Sequence, residues 1–263
     1  MPTTTINGQT ISYREQGRGT PLVLVHGFPL DNRIWDSQLA SLSDKFRVIA
    51  PDLPGFGQSK STKPFTMQSL ADDLHSLLSQ TSALPCILAG LSMGGYMTFA
   101  YAAKYAKDLK ALILVDTKAD ADTPDGKAGR DKMIQTARTS GSPAIAAAMM
   151  PKMLSPDSQQ NRPQLVQQLK TIMESCPALT IEHALAAMRD RADSRPLLPS
   201  INIPTLILVG DQDPITPPAV AETMNKEIKN SKLITIKSAA HLTSMEQPEQ
   251  VNQALRQFLA MIK

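Results

Sequence analysis

The sequence is short of several things that would have narrowed its function at once. Cysteine is nearly absent, with only Cys86 and Cys176 among 263 residues. Two distant cysteines make neither a disulfide framework nor the close spacings of zinc and redox motifs, and they suit a reduced, cytoplasmic setting. Histidine is as scarce: the four residues His26, His75, His183 and His241 are widely scattered, so no metal or other cofactor is expected. No apolar run approaches the ~18 residues of a membrane span; the longest is Ala144–Met150. Charge of one sign is lacking too. The formal net charge is +3, and the densest basic stretch, Arg189, Arg191 and Arg195, is interrupted by acids, which argues against nucleic acid as a partner. The opening MPTTTINGQT carries no basic segment followed by an apolar one, so no secretory signal is read there. The expectation is a cytoplasmic protein, monomer or homodimer, whose partner is a small molecule.

What is present is alternation. Thr3–Ile6, Asn7-Gly8 and Thr10–Arg14 read as a hairpin, because Asn-Gly tolerates the positive φ values of a two-residue turn. Short unbroken apolar runs follow: Pro21–Val25, Phe46–Ala50, Pro85–Ala89, Ala111–Val115, Thr205–Val209 and Lys232–Ile236. Such runs suit strands buried on both faces. Helical stretches separate them, at Ile34–Leu42, Met67–Leu78, Met93–Ala106, Ala219–Ile228 and Pro248–Met261, which predicts a mostly parallel sheet in an α/β fold. From 117 to 200 no strand-like run occurs, only Pro-punctuated helical pieces at Asp125–Thr139, Pro143–Leu154, Arg162–Cys176 and Leu179–Asp193. That interval far exceeds the ~15 residues of an ordinary loop. It is read as a helical cap inserted into a core made of residues 1–116 and 201–263.

Ser92 lies in Gly90-Leu91-Ser92-Met93-Gly94-Gly95, between a buried strand and a helix. A nucleophile on such a tight turn needs glycine neighbours, since side chains there would strike the adjoining strand or helix. The turn also leaves the Met93 N–H free at a helix start, where an oxyanion develops. The bare pattern arises by chance in roughly one chain in ten of this length; its position between strand and helix gives it weight. A serine hydroxyl needs a base. Of the four histidines, His241 follows the last strand at the same sheet edge as Ser92, whereas His75 falls in an amphipathic helix and His183 in the cap. The base in turn needs an acid. Asp213, in Gly210-Asp211-Gln212-Asp213-Pro214, is favoured, with Asp211 as a turn former; Asp116 is the competitor. Phe28, in His26-Gly27-Phe28-Pro29, is the expected second oxyanion donor, with His26 as a structural brace. Asp52 through Ser59 holds a G-x-G too short for a phosphate loop, with Pro54 lacking an N–H, and reads as a turn bordering the site.

These segments, with His241, Glu246 and Pro248, resemble the α/β-hydrolase fold family along nearly the whole chain. The resemblance implies a sheet of about eight strands with helices on both faces, a Ser92–Asp213–His241 triad, and an oxyanion hole from Phe28 and Met93. It places the cap between the sixth and seventh strands. Within the family, Leu114 through Thr117 and Ala121 through Pro124 are similar to capped bacterial carboxylesterases and 3-oxoadipate enol-lactonases. Haloalkane dehalogenases and epoxide hydrolases carry aspartate at the nucleophile, so Ser92 argues against both; a perhydrolase side activity stays open. The expected reaction is hydrolysis of small to medium acyl esters, with a lactone as the alternative substrate and a slow-turnover ligand-binding protein as a further one. A carboxylate-bearing lactone would call for a cation in the pocket, and Arg130, Arg138, Lys152, Arg189 and Arg191 are the candidates in the cap. Met149, Met150 and Met153 are candidates for its apolar lining, and Trp35 and Phe28 for an aromatic wall.

Overall fold

A computed structural model describes residues 1–262. The strands are β1 (Thr3–Ile6), β2 (Gln9–Gln16), β3 (Pro21–Val25), β4 (Arg47–Pro51), β5 (Cys86–Leu91), β6 (Leu109–Val115), β7 (Thr205–Gly210) and β8 (Ser231–Ile236). They form one sheet in the order β1-β2-β4-β3-β5-β6-β7-β8. The hairpin forms on Asn7 and Gly8, at φ 49° and 75°. β1 and β2 run antiparallel, β2 joins β4 antiparallel, and every later pairing is parallel. Each apolar run of the sequence falls on a strand, with ends displaced by up to two residues.

The helices are α1 (Asp36–Leu42), α2 (Met67–Gln80), α3 (Met93–Tyr105), α4 (Pro124–Met153), α5 (Pro156–Asn161), α6 (Pro163–Glu174), α7 (Ala178–Arg189), α8 (Pro218–Glu227), α9 (Thr243–Glu246) and α10 (Pro248–Leu259). Successive strand side chains point to opposite faces, and the core divides accordingly. Val23, Val25, Leu112 and Leu114 pack with α2, α3 and α8, while Leu22, Leu24, Ala111 and Ile113 pack with α1 and α10. This two-sided cover is why those runs show no polar alternation. β3 is flanked by β4 and β5, so the chain reverses its direction of winding there. A crevice opens at the carboxyl ends of strands at such a point.

Between β6 and β7 the chain is helical, with no strand. Gly141, at φ 70°, breaks α4 into two arms, as Ser140-Gly141-Ser142-Pro143 would suggest. Residues of this interval join both core clusters: Ile181 and Leu185 the one, Leu169 and Met173 the other. It also touches loops at the carboxyl ends of the strands. Thr180 Oγ1 donates to the Gly55 carbonyl beyond β4 (3.1 Å), and the Ser155 N–H donates to the Glu246 carboxylate beyond β8 (2.8 Å).

Candidate active site

Ser92 occupies the turn between β5 and α3 with φ 54° and ψ −112°, a conformation sparsely populated by residues other than glycine. What holds it there is close packing. A β-carbon on Gly94 would stand 2.6 Å from the Val25 carbonyl oxygen, and one on Gly90 would stand 2.4 Å from the Gly94 oxygen. Glycine at both positions lets α3 start directly against β3. Thr117 Oγ1 donates to the Ser92 carbonyl (2.8 Å), and the Ser92 N–H donates to Val115 (3.0 Å), pinning the turn from β6.

His241 follows β8, and its ring spans the gap between Ser92 and Asp213. Nε2 is 2.8 Å from Ser92 Oγ, and Nδ1 is 2.8 Å from Asp213 Oδ2. A carboxylate can only accept, so Nδ1 carries the hydrogen and Nε2 presents its lone pair to the serine. The Asp213 carboxylate is held further by the N–H groups of Ile215 and Thr216 (2.8 and 3.0 Å) and by Thr216 Oγ1 (2.6 Å). Sequence reasoning missed Thr216 and Thr117. Asp213 with Thr216 three residues on, across Pro214, is the local turn signal that points to the first; nothing local points to the second. Asp211 was expected to close its own turn. It reaches across instead to the Ala239 N–H (3.3 Å), because Asp213 already binds the local N–H groups.

Burial separates the two candidate acids. Asp213 loses solvation, but the His241 ring and the Thr216 bonds outweigh that loss and hold its carboxyl below the usual range. Asp116 is fully buried; burial and then the Asp213 charge push it up to about 8. Its oxygens meet the Gly210 N–H (3.0 Å), the Thr243 N–H (3.1 Å) and Thr243 Oγ1 (2.7 Å) rather than His241. Burial opposes protonation of His241, yet the Asp213 charge and hydrogen bond raise its pKa above the ordinary value.

The loop after β3 lies against Ser92: a β-carbon on Gly27 would sit 3.2 Å from Ser92 Cβ. Among the described residues, neither the Phe28 N–H nor the Met93 N–H has a hydrogen-bond partner. His26 Nδ1 donates to the Gly27 carbonyl (2.9 Å), and its Nε2 accepts from the Leu53 N–H (3.0 Å). Burial lowers the His26 pKa, which keeps this tautomer neutral. Asp52 accepts from the Asn32 and Gln58 N–H groups, so Asp52 through Ser59 is a structural turn. His75 bonds Asp108 and stacks on Tyr105, away from the site, and His183 packs edge-on against Phe65.

Of the five candidate cations in the helical interval, Arg191 alone is buried, and Arg130 is mostly so. Arg138 and Arg189 lie on solvated faces in pairs with Glu182 and Asp131, and Lys152 is exposed. Met153 and Trp35 are core residues, whereas Met149 and Met150 are half-buried. Among the described residues no cluster of three or more His, Cys, Asp or Glu could hold a metal, and no helix is long and apolar enough to cross a membrane.

A family model described as the alpha/beta hydrolase fold matches residues 20–248. The chain belongs to the α/β-hydrolase fold family. It is 31% identical to the AB hydrolase superfamily protein YisY of Bacillus subtilis, over 95% of both chains. It is 28% identical to 3-oxoadipate enol-lactonase 1 of Acinetobacter baylyi, over 97% of this chain and 95% of that one. Among solved structures, a malate-bound thermophilic esterase from Thermogutta terrifontis superposes with a TM-score of 0.94 at 41% identity, covering 98% of this chain and 96% of that one. Family and relatives together mark this chain as a hydrolase.

Proposed function

We propose that the protein is a serine hydrolase that cleaves small to medium carboxylic esters through an acyl-enzyme. The observation that carries this reading is the continuous hydrogen-bonded line from Ser92 Oγ through His241 to Asp213. His241 Nε2 removes the serine proton as Oγ attacks the ester carbonyl, a step in which general-base help is worth about 10²–10⁴-fold. Asp213 holds the imidazolium that results. The tetrahedral oxyanion takes the free N–H groups of Phe28 and Met93, with the positive end of α3 behind it; each such donor is worth about 10²–10³-fold. His241 returns the proton to the departing alkoxide. Water, deprotonated by the same nitrogen, then attacks the acyl-enzyme, and Ser92 leaves with the proton.

We read helices α4–α7 as a cap, residues 117–200, over a core of 1–116 and 201–263. Support comes from their contacts with loops beyond β4 and β8. A lactone is opened by the same steps with its alcohol still tethered, and the likeness to an enol-lactonase favours that second reading. The test is Ser92→Ala assayed on p-nitrophenyl butyrate and on a carboxylate-bearing lactone, with mass spectrometry of the wild-type protein after a fluorophosphonate. The expected result is loss of at least about 10³-fold on whichever substrate is turned over, and the adduct on Ser92. Hydrolysis by Ser92→Ala at the wild-type rate would overturn the mechanism.

A further inference from the structure

A cavity of about 370 Å³ opens between the start of α2, α3, the end of α7 and the segments around residues 118 and 193. None of Ser92, His241, Asp213 or Phe28 lines it. Tyr96, one helical turn beyond Ser92, lines it, and its N–H donates to the Ser92 carbonyl (3.2 Å). The body of the cavity is apolar, built from Phe65, Phe99, Ala100, Ala186 and Leu197.

Asp122, nearly buried, is shared by three cations: Arg191 at 2.8 Å, Arg130 at 3.0 Å and Lys118 at 3.9 Å. Arg191 is committed through its two terminal nitrogens, while its buried Nε has no partner among the described residues. It donates to the carbonyls of Met188 and Asp120, and its guanidinium lies 4.1 Å from the Tyr96 ring centroid. Arg130 is bonded to Asp122 as well. Lys118 is left with no hydrogen bond among the described residues, half-buried, and lines the cavity. The other acids nearby are paired with other cations. Asp190 is held by Arg189 through two hydrogen bonds, and Asp193 by Arg195 in the same way, while Asp120 lies nearest Arg195 as well. Burial and the neighbouring Arg191 and Arg130 charges lower the Lys118 pKa, against the raising effect of Asp122 and Asp120.

We propose that this cavity is a second ligand site, separate from Ser92, which binds a small carboxylate with an apolar body, its carboxylate on Lys118 Nζ. A charge-assisted bond from an ammonium out of full contact with water is stronger than a neutral one. The apolar walls remove the rest of such a molecule from water. A cation in the same place would face Lys118 and Arg191, and a neutral molecule would leave Lys118 with only the distant Asp122 carboxylate. The proposal does not depend on Ser92 acting as a nucleophile.

The test uses the full chain with ¹³C-methyl methionine and hexanoate as the probe. Met67 lines the cavity, so its methyl resonance, assigned through Met67→Leu, reports occupancy there rather than at Ser92. Wild-type protein should show a saturable Met67 shift with hexanoate. Lys118→Gln should weaken hexanoate about tenfold or more while leaving 1-hexanol unchanged. Ala100→Phe, which fills the cavity from α3, should remove the hexanoate response even if Lys118→Gln folds poorly. No saturable Met67 shift with millimolar hexanoate, or equal affinity in wild type and Lys118→Gln, overturns the proposal.

Discussion

Asp213 and Asp116 end neighbouring strands, β7 and β6, and both are buried close to His241, yet only Asp213 touches the ring, at 2.8 Å from Nδ1. Asp116 is turned to the Gly210 and Thr243 N–H groups, and burial with the Asp213 charge raises its pKa. Two carboxyls whose surroundings push them apart in this way have different tasks. Asp213→Asn is expected to lower kcat by about 10³–10⁴-fold, the size of effect that follows when a catalytic histidine loses the acid fixing its tautomer. Asp116→Asn should stay within about tenfold of wild type, since its hydrogen bonds position backbone rather than the ring. Steady-state rates of the two variants decide the assignment, and a larger loss in Asp116→Asn reverses it.

The same pair sets a pH dependence. In the proposed mechanism His241 is the base and must be neutral, so kcat/KM should rise with pH through its pKa. That pKa is raised by Asp213 against the opposing effect of burial, so the acidic limb should have its midpoint above the ordinary histidine value of about 6.5. In Asp213→Asn the raising charge is gone while the burial remains. The midpoint of its residual activity should move to lower pH, and a pH–rate profile of both proteins measures the shift.

His26 is expected to act through its neighbour. In a trans peptide the carbonyl and N–H point in opposite directions, so a bond from His26 Nδ1 to the Gly27 carbonyl also fixes the direction of the Phe28 N–H. His26→Phe removes that bond and strands the Leu53 N–H. We expect kcat to fall about tenfold to a hundredfold, less than deletion of an oxyanion donor, with KM little changed. A boronic acid that mimics the tetrahedral state should lose affinity in proportion to kcat. A merely structural residue would lower Tm and leave the boronate affinity of the folded fraction intact.

Much of this was legible in the chain because the signals were local. Unbroken apolar runs gave the parallel strands, and Gly90 and Gly94 could be understood as clearances from the pattern around Ser92. Gly141 with Pro143 likewise separated the two arms of α4. The six residues of α5, PDSQQN, carry too few apolar positions to show a period, and no sequence reading found them. Thr117, Thr243 and Glu246 act on residues far away in the sequence, so their hydrogen bonds arise only when the sheet brings the strand ends together. The five candidate cations looked alike for the same reason: what distinguishes Arg191 is Asp122 and the face of Tyr96, and neither adjoins it in the chain.

That buried pair has a stability consequence. Asp122 and Arg191 side chains are 5% and 4% exposed, so removing one partner leaves the other charge with little access to water. Breaking a buried pair costs about 3–5 kcal/mol, far above the value of a surface pair. Asp122→Ala is therefore expected to lower Tm by roughly 10 °C at about 2–4 °C per kcal/mol, whereas Asp131→Ala, at the exposed pair with Arg189, should shift it by no more than a few degrees. Calorimetric melting of the two variants checks the contrast, and equal shifts would mean that the Arg191 charge finds other compensation.

Glu246 links the helical interval to the loop that carries His241. One carboxylate oxygen accepts the Ser155 N–H and the other the Ala240 N–H, both at 2.8 Å, and the side chain is 1% exposed. Ala240 directly precedes His241, so the carboxylate ties the start of α5 to the backbone that sets the ring. Glu246→Gln keeps the shape but turns an amide NH₂ toward one of the two N–H groups, so one bond is lost and a donor faces a donor. A buried donor left unpaired costs about 1–3 kcal/mol. If the tie positions His241, Glu246→Gln should lower kcat about tenfold with a small change in KM, and Glu246→Asp, which keeps the charge but shortens the reach, should recover only part of it. Labelling of Ser92 by a fluorophosphonate should slow in parallel with kcat, since that reaction also needs the His241 base. A fall in Tm with unchanged labelling rate per folded molecule would reduce Glu246 to a brace for α5 alone.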